Sequence, residues 1–301
     1  MDHAPPASTP HPLTLLASIS RIHIVAIAML GALTFGWILT GRYFVGLSLL
    51  VGFDWFLVNL LNRVVDLPED RVNAIVGTDF VERHQRAIRR GGLFLLAASL
   101  VATLLLAPLL TAWRVAYHLL GLAYNWPLFG RRIKERYFFK NTASAMGFLI
   151  TLFAYPLTWN GVGSALAPGV SGATVGVALL FFFAFELSYE VIYDLRDVEG
   201  DRVARVQSYP VVHGERGAVA IIDALLFAAL MTLGVGYAVG VVPWRLFIMV
   251  CAPLIQFVYY KLVLRRGITS RDCVNLTWIG ALLLALYHLW WALGLPGSEL
   301  G

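Results

Sequence analysis

Residues 46–71 read GLSLLVGFDWFLVNLLNRVVDLPEDR. An almost wholly apolar run reaches Leu61 and then breaks into Asn62, Arg63, Asp66, Glu69, Asp70 and Arg71. The apolar part suits a helix through a hydrocarbon core of ~30 Å. Lipid offers no water to satisfy backbone groups, so only helices or closed barrels cross it. Barrel strands would alternate apolar and polar residues, and this run does not. Asn62, Asp66 and Asp70 are each four apart, which places them within a sector of about 80° on a helix. Pro68 lacks an amide donor and clashes one turn back. The helix is therefore expected to end near Asp66, with Pro68 opening a new turn that carries Glu69 and Asp70.

The rest of the chain repeats the pattern. Its 301 residues are 59% hydrophobic and 14% charged, with a mean hydropathy of +0.73. A soluble domain is nearer 45–50% apolar with about a quarter charged. Nine apolar blocks lie near 22–39, 43–62, 92–110, 112–129, 142–160, 173–193, 218–240, 243–264 and 276–294. The expected fold is an all-α integral membrane protein, with nine transmembrane helices in a bundle capped by cytoplasmic loops. The block at 112–129 is the weakest, because His118 and Asn125 interrupt it. Residues 1–15, rich in proline and without a Lys or Arg, are expected to be a disordered tail, leaving 16–301 as one membrane domain. The cysteines, Cys251 and Cys273, suggest neither a disulfide nor a metal site.

Charge orients the bundle. Six arginines fall in 63–91, five basic residues in 130–141, four in 194–217 and four in 261–275. With Arg21 they make twenty of the 23 basic residues. Arg42, Arg114 and Arg245 are expected in connections on the opposite side. By the positive-inside rule the N-terminus and the four basic loops face the cytoplasm, in what is expected to be a bacterial inner membrane. The net charge of +5 therefore calls for no nucleic-acid partner.

A second acidic cluster, SYEVIYDLRDVEGDR, spans 188–202. Glu190, Asp194, Asp197 and Asp201 are spaced 4, 3 and 4, within a sector of about 60°. Like charges on one helix face repel, and burying them unpaired is costly. Either nearby arginines or a divalent cation must compensate. Carboxylates plus an amide suit Mg²⁺ or Mn²⁺ rather than zinc. Two such clusters can hold a diphosphate between them through metal ions.

This arrangement resembles the UbiA superfamily of intramembrane prenyltransferases. Asn62, Asp66 and Asp70 match its first aspartate-rich motif, and Asp194, Asp197 and Asp201 its second. The resemblance covers the chain from Arg21 to the last apolar block. It implies a Mg²⁺-dependent enzyme whose two motifs bind the metal and the diphosphate of a polyprenyl donor. The family's basic loop corresponds to AYNWPLFGRRIKERYFFKN at 123–141. Tyr124 and Lys134 are ten apart there, so the usual Y-x-x-x-K spacing is not met. Lys134 is the leading diphosphate ligand, with Lys140 next and Arg131 and Arg71 nearby. Asp66, Asp194 and Lys134 are the expected catalytic residues.

An allylic diphosphate ionises as charge builds on the leaving group and on carbon. Metal and basic residues answer the first, and aromatic faces such as Tyr189 and Tyr193 answer the second. The expected acceptor is aromatic and quinone-precursor-like, although a lipid acceptor also fits the family. Arg21 stands at the first helix to bind an anionic one. The competing reading is a cation-coupled transporter or channel, resting on Asp54, Glu186 and Asp223 within apolar blocks. Acids gathered at helix ends on one side favour a headgroup site over a midplane ion site.

Overall fold

Among the residues described by the computed structural model, 12–127, 130–295 and 297–298, all regular structure is helical. The helices in chain order are α1 (Pro12–Ser20), α2 (Ile22–Thr40), α3 (Val45–Val65), α4 (Leu67–Val72), α5 (Thr78–Leu106), α6 (Pro108–Asn125), α7 (Phe139–Leu149), α8 (Tyr155–Asn160), α9 (Gly172–Val203), α10 (Tyr209–Ala238), α11 (Trp244–Phe247), α12 (Cys251–Leu264) and α13 (Ser270–Ala292). A wide turn at Ile150–Ala154 joins α7 to α8 just before Pro156, and a tight turn at Ile248–Val250 joins α11 to α12. Both are local answers to a proline or a crowded turn within a spanning segment.

Eight of these helices or joined helices are long and apolar enough to cross a membrane: α2, α3, α5, α7–α8, α9, α10, α11–α12 and α13. The block expected at 112–129 is the 18-residue helix α6, shifted to 108–125. Arg114, His118 and Asn125 all lie within it and are buried, and their polarity keeps it from counting as an apolar span. The tail expected over 1–15 is also revised. Its residues 1–11 lie outside the described residues, and α1 begins at Pro12. That helix is tethered to the α4–α5 connection by the Ser18 hydroxyl, which donates to the Val76 carbonyl at 2.8 Å.

The α3–α4 junction forms as the proline dictates. Asp66 closes α3, its amide donating to the Asn62 carbonyl at 2.9 Å, and Pro68 stands in the first turn of α4. Helix α9 begins in a capping box between Ser171 and Thr174. Its 32 residues extend about 48 Å at 1.5 Å per residue, well beyond a ~30 Å hydrocarbon core. The surplus carries Asp194, Asp197 and Asp201 toward the bundle rim.

Helix α2 packs on α3 and α13, α3 on α5 and α6, and α9 on α7 and α10. The apolar core between them includes Phe35, Phe148, Phe153, Phe181 and Phe182. One polar knot lies inside this bundle. Arg114 donates to Asp54 from Nε at 2.9 Å and from Nη2 at 2.5 Å. The Tyr155 hydroxyl donates to the same carboxylate at 3.0 Å, and His118 Nε2 lies 3.0 Å from it. Arg114 also donates to the Ser99 carbonyl at 2.9 Å. Asp54, Arg114 and Tyr155 are each 0% exposed. Arg114 is thus not in a connection, as its count toward orientation assumed; it lies inside α6 because Asp54 of α3 holds it there.

Candidate functional site

The two acidic clusters face each other across one cavity of about 930 Å³. Helix α3 and the start of α4 supply Asn62, Asp66, Glu69 and Asp70; the end of α9 supplies Glu190, Asp194, Asp197 and Asp201. Lys134 and Lys140 reach in from the segment between α6 and α7, and Arg21 from the α1–α2 joint. Below this charged rim the walls become Phe35, Trp55, Phe148, Phe181, Phe182 and Phe185. A polar mouth over an aromatic shaft suits a ligand with a charged head and an apolar tail.

Every carboxylate of the two clusters except Glu190 meets a cation or an amide. Lys134 Nζ donates to Asp66 Oδ1 at 2.8 Å and also to Glu69. Asn125 Nδ2 donates to Asp66 Oδ2 at 2.9 Å. Arg132 donates to Glu69 at 2.7 Å, and Arg63 to Asp70 at 2.5 Å. On the facing wall, Lys140 Nζ lies 2.7 Å from Asp194 Oδ1 and 2.6 Å from Asp201 Oδ2. Asn141 Nδ2 donates to Asp194 Oδ2 at 2.8 Å. Asp197 accepts from Arg196 Nε at 2.7 Å, and the Arg196 guanidinium lies 5.0 Å from the centre of the Tyr193 ring. Tyr189 and Tyr193 both hydrogen-bond Thr277.

Burial works against charge at Glu69, yet Lys134 and Arg132 outweigh it and hold its carboxyl below the ordinary range. At Asp70 burial dominates and pushes the carboxyl up, with Asp66 and Glu69 adding repulsion that Arg21 and Arg63 only partly offset. The first cluster therefore contains one acid strongly held as a carboxylate and one less readily ionised.

The oxygens present suit a hard divalent cation. Asn62 Oδ1 and Asn141 Oδ1 are buried without a hydrogen-bond donor, and each amide belongs to the same cluster as a carboxylate, Asp66 and Asp194 respectively. Among the described residues no group of three or more His, Cys, Asp or Glu side chains converges on a point. An amide oxygen beside a carboxylate on each wall fits Mg²⁺, which takes one or two carboxylates and completes its shell with water and phosphate oxygens.

Of the residues singled out by spacing and resemblance, Asn62, Asp66, Asp70, Lys134, Lys140, Glu190, Asp194, Asp197, Asp201, Tyr189, Tyr193 and Arg21 all line the cavity. Arg71 and Arg131 do not. Arg71 is exposed and pairs with Glu82, because one residue of helical rotation turns it away from Asp70. Arg131 is exposed too, while Arg132 and Lys134 turn inward. Spacing gave no reason to pick Glu69, Arg132, Asn125 or Asn141; their roles come from contacts between segments 53 to 65 residues apart. The three intramembrane acids also part company. Asp54 is closed in its knot, and Asp223 is bound by Lys261 at 2.7 Å and by Tyr260. Glu186 alone lines the cavity.

The sequence model of the UbiA prenyltransferase family matches residues 22–276. Among curated proteins, the chain is 31% identical over 224 residues to digeranylgeranylglyceryl phosphate synthase of Halobacterium salinarum, covering 69% of this chain and 71% of that one. It is 29% identical over 129 residues to the protein of the same name from Haloquadratum walsbyi, covering 36% and 45% of the two chains. Its fold is similar to that of a UbiA homologue from Archaeoglobus fulgidus bound to DMAPP and Mg²⁺, with a TM-score of 0.69 at 15% identity over 91% of this chain and 97% of that one. A solved digeranylgeranylglyceryl phosphate synthase aligns with a TM-score of 0.54 at 19% identity over 91% and 94% of the two chains.

Proposed function

The chain belongs to the UbiA prenyltransferase family, and on that premise we propose that it transfers a polyprenyl group from an allylic diphosphate to the hydroxyl of a glyceryl phosphate. The observation that carries this reading is the pair of acidic walls over a single aromatic shaft. The diphosphate lies between the Asp66 and Asp194 clusters, and the prenyl tail descends past Trp55 and Phe182. Asn62, Asp66 and Asp70 on one wall, and Asp194, Asp197 and Asp201 on the other, are the residues that would hold Mg²⁺ or Mn²⁺. When bound, the metal supplies Lewis-acid neutralisation of the leaving diphosphate.

The protein's own groups do the rest. Lys134 and Lys140 stand within hydrogen-bond distance of one acidic wall each, so each can swing from carboxylate to phosphate oxygen as the head arrives. Arg132, braced by Glu69, adds a forked donor. The aromatic shaft excludes water, which protects an electron-poor allylic carbon from hydrolysis, and ring faces stabilise its positive charge. All of this takes place at the cytoplasmic rim of a nine-helix bundle in which α6 is the ninth span and 16–301 form one domain.

The acceptor assignment replaces the aromatic, quinone-precursor-like acid expected from the resemblance. It rests on the curated relatives, which are named for a glyceryl phosphate product. Arg21 supports an anionic acceptor: it lines the cavity and has no ion-pair partner among the described residues. The test incubates the purified protein with Mg²⁺, a series of prenyl diphosphates, and either a prenylated glyceryl phosphate or an aromatic hydroxy acid. Ether product from the glyceryl phosphate supports the assignment; product from the aromatic acid alone overturns it.

The double contact of Lys134 makes a narrower expectation. Lys134→Ala should weaken donor binding about tenfold, the loss of one charge-assisted hydrogen bond, while leaving acceptor KM near wild type. Titration of donor binding checks this, and an unchanged donor affinity removes Lys134 from the diphosphate site.

A further inference from the structure

Glu186 is a cavity acid that the diphosphate site does not use. It lies eight residues before Asp194 on α9, about 12 Å deeper along the helix axis. It is 7% exposed, and its Oε1 meets no hydrogen-bond donor. No Lys, Arg or His forms an ion pair with it among the described residues. Its charged neighbour is Glu190, one turn nearer the mouth, whose Oε1 accepts from the Ser144 hydroxyl at 2.6 Å. Both carboxyls line the cavity.

An unpartnered carboxyl inside a membrane bundle is costly, and such groups mark sites of function. Two carboxyls one turn apart in an apolar shaft resist double ionisation. Carboxyl oxygens held there seek a hydroxyl donor. Among the described residues Ser144 alone donates to the pair, and to Glu190. A hydroxyl ligand in the shaft can supply the donor for Glu186.

We propose that Glu186, within this pair, binds the hydroxyl of the prenyl acceptor and takes its proton. The inference rests on the prenyl-transfer reading above and extends it to the acceptor's chemical class, an alcohol or other hydroxyl compound. In the step, the acceptor oxygen bonds to the allylic carbon. The bond from that carbon to the diphosphate oxygen breaks, and its electron pair leaves on the diphosphate. The hydroxyl proton passes to Glu186 and returns to water after product release. Glu190, anchored by Ser144, stands one turn nearer the mouth.

Glu186→Gln and Glu186→Asp separate this role from a structural one. Glutamine fills the same space and still accepts a hydrogen bond, but does not take the proton. The expected result is a fall in kcat of a hundredfold or more for Glu186→Gln, in the range of a lost general base. Acceptor KM and Mg²⁺-dependent donor affinity should stay within threefold of wild type, and Glu186→Asp should recover part of the rate. A Glu186→Gln enzyme with kcat within threefold of wild type overturns the proposal. So does a parallel loss of donor affinity, which would place Glu186 with the diphosphate ligands. Wild-type enzyme assayed with both acceptor classes reads the acceptor assignment separately, and the variant ratios are taken on whichever acceptor gives product.

Discussion

Asp66→Ala and Asp194→Ala are each expected to lower turnover about a thousandfold. The two residues sit on opposite walls of the cavity, and each anchors the lysine of its own wall, Lys134 or Lys140. In the proposed site, alanine at either place removes an oxygen that would hold the metal and lets that lysine drift. Metal stabilisation of a leaving group is worth several kcal/mol, and each ~1.4 kcal/mol is a factor of ten in rate, so losing one wall costs about three orders of magnitude. Mg²⁺-dependent donor binding should weaken in both variants, while folding survives because each lysine keeps a second carboxylate, Glu69 or Asp201. Turnover and calorimetric donor binding, read beside thermal unfolding in detergent, check this. Activity within tenfold of wild type in either variant would mean that one wall suffices, and the two-walled site would be wrong.

Asp54→Ala is the second large effect, and it falls on stability. Arg114 is fully buried and takes two hydrogen bonds to Asp54, and Tyr155 and His118 approach the same carboxylate. Removing one partner of a buried ion pair leaves an uncompensated charge and costs about 3–5 kcal/mol. The knot does not line the cavity, so the fraction of protein that stays folded should retain near-normal KM for the donor. An apolar pair of similar volume, Asp54→Leu with Arg114→Met, should recover most of the loss, because it removes both charges together. Thermal unfolding of the single and double variants decides the matter. A single variant as stable as wild type would show that the bonds Arg114 already makes to Ser99 and Thr103 are enough to hold its charge.

Much of this site was legible along the chain because helical periodicity is a local property. The spacings of Asn62, Asp66 and Asp70, and of Asp194, Asp197 and Asp201, determine that each set shares a helix face. Pro68 determines where α3 stops, and the hydropathy of the apolar blocks determines a membrane bundle. None of these needs knowledge of a distant residue. Only the tertiary structure decided that Lys134 serves the first wall and Lys140 the second, since the loop sequence presents five basic residues with no order among them. It likewise turned Arg71 and Arg131 outward, brought Asn125 to Asp66, and drew Arg114 into the interior against Asp54. The physical reason is the same in each case. Which charges meet depends on how helices far apart in sequence pack around one cavity, and burial makes those few pairings strong while leaving their unburied neighbours to solvent.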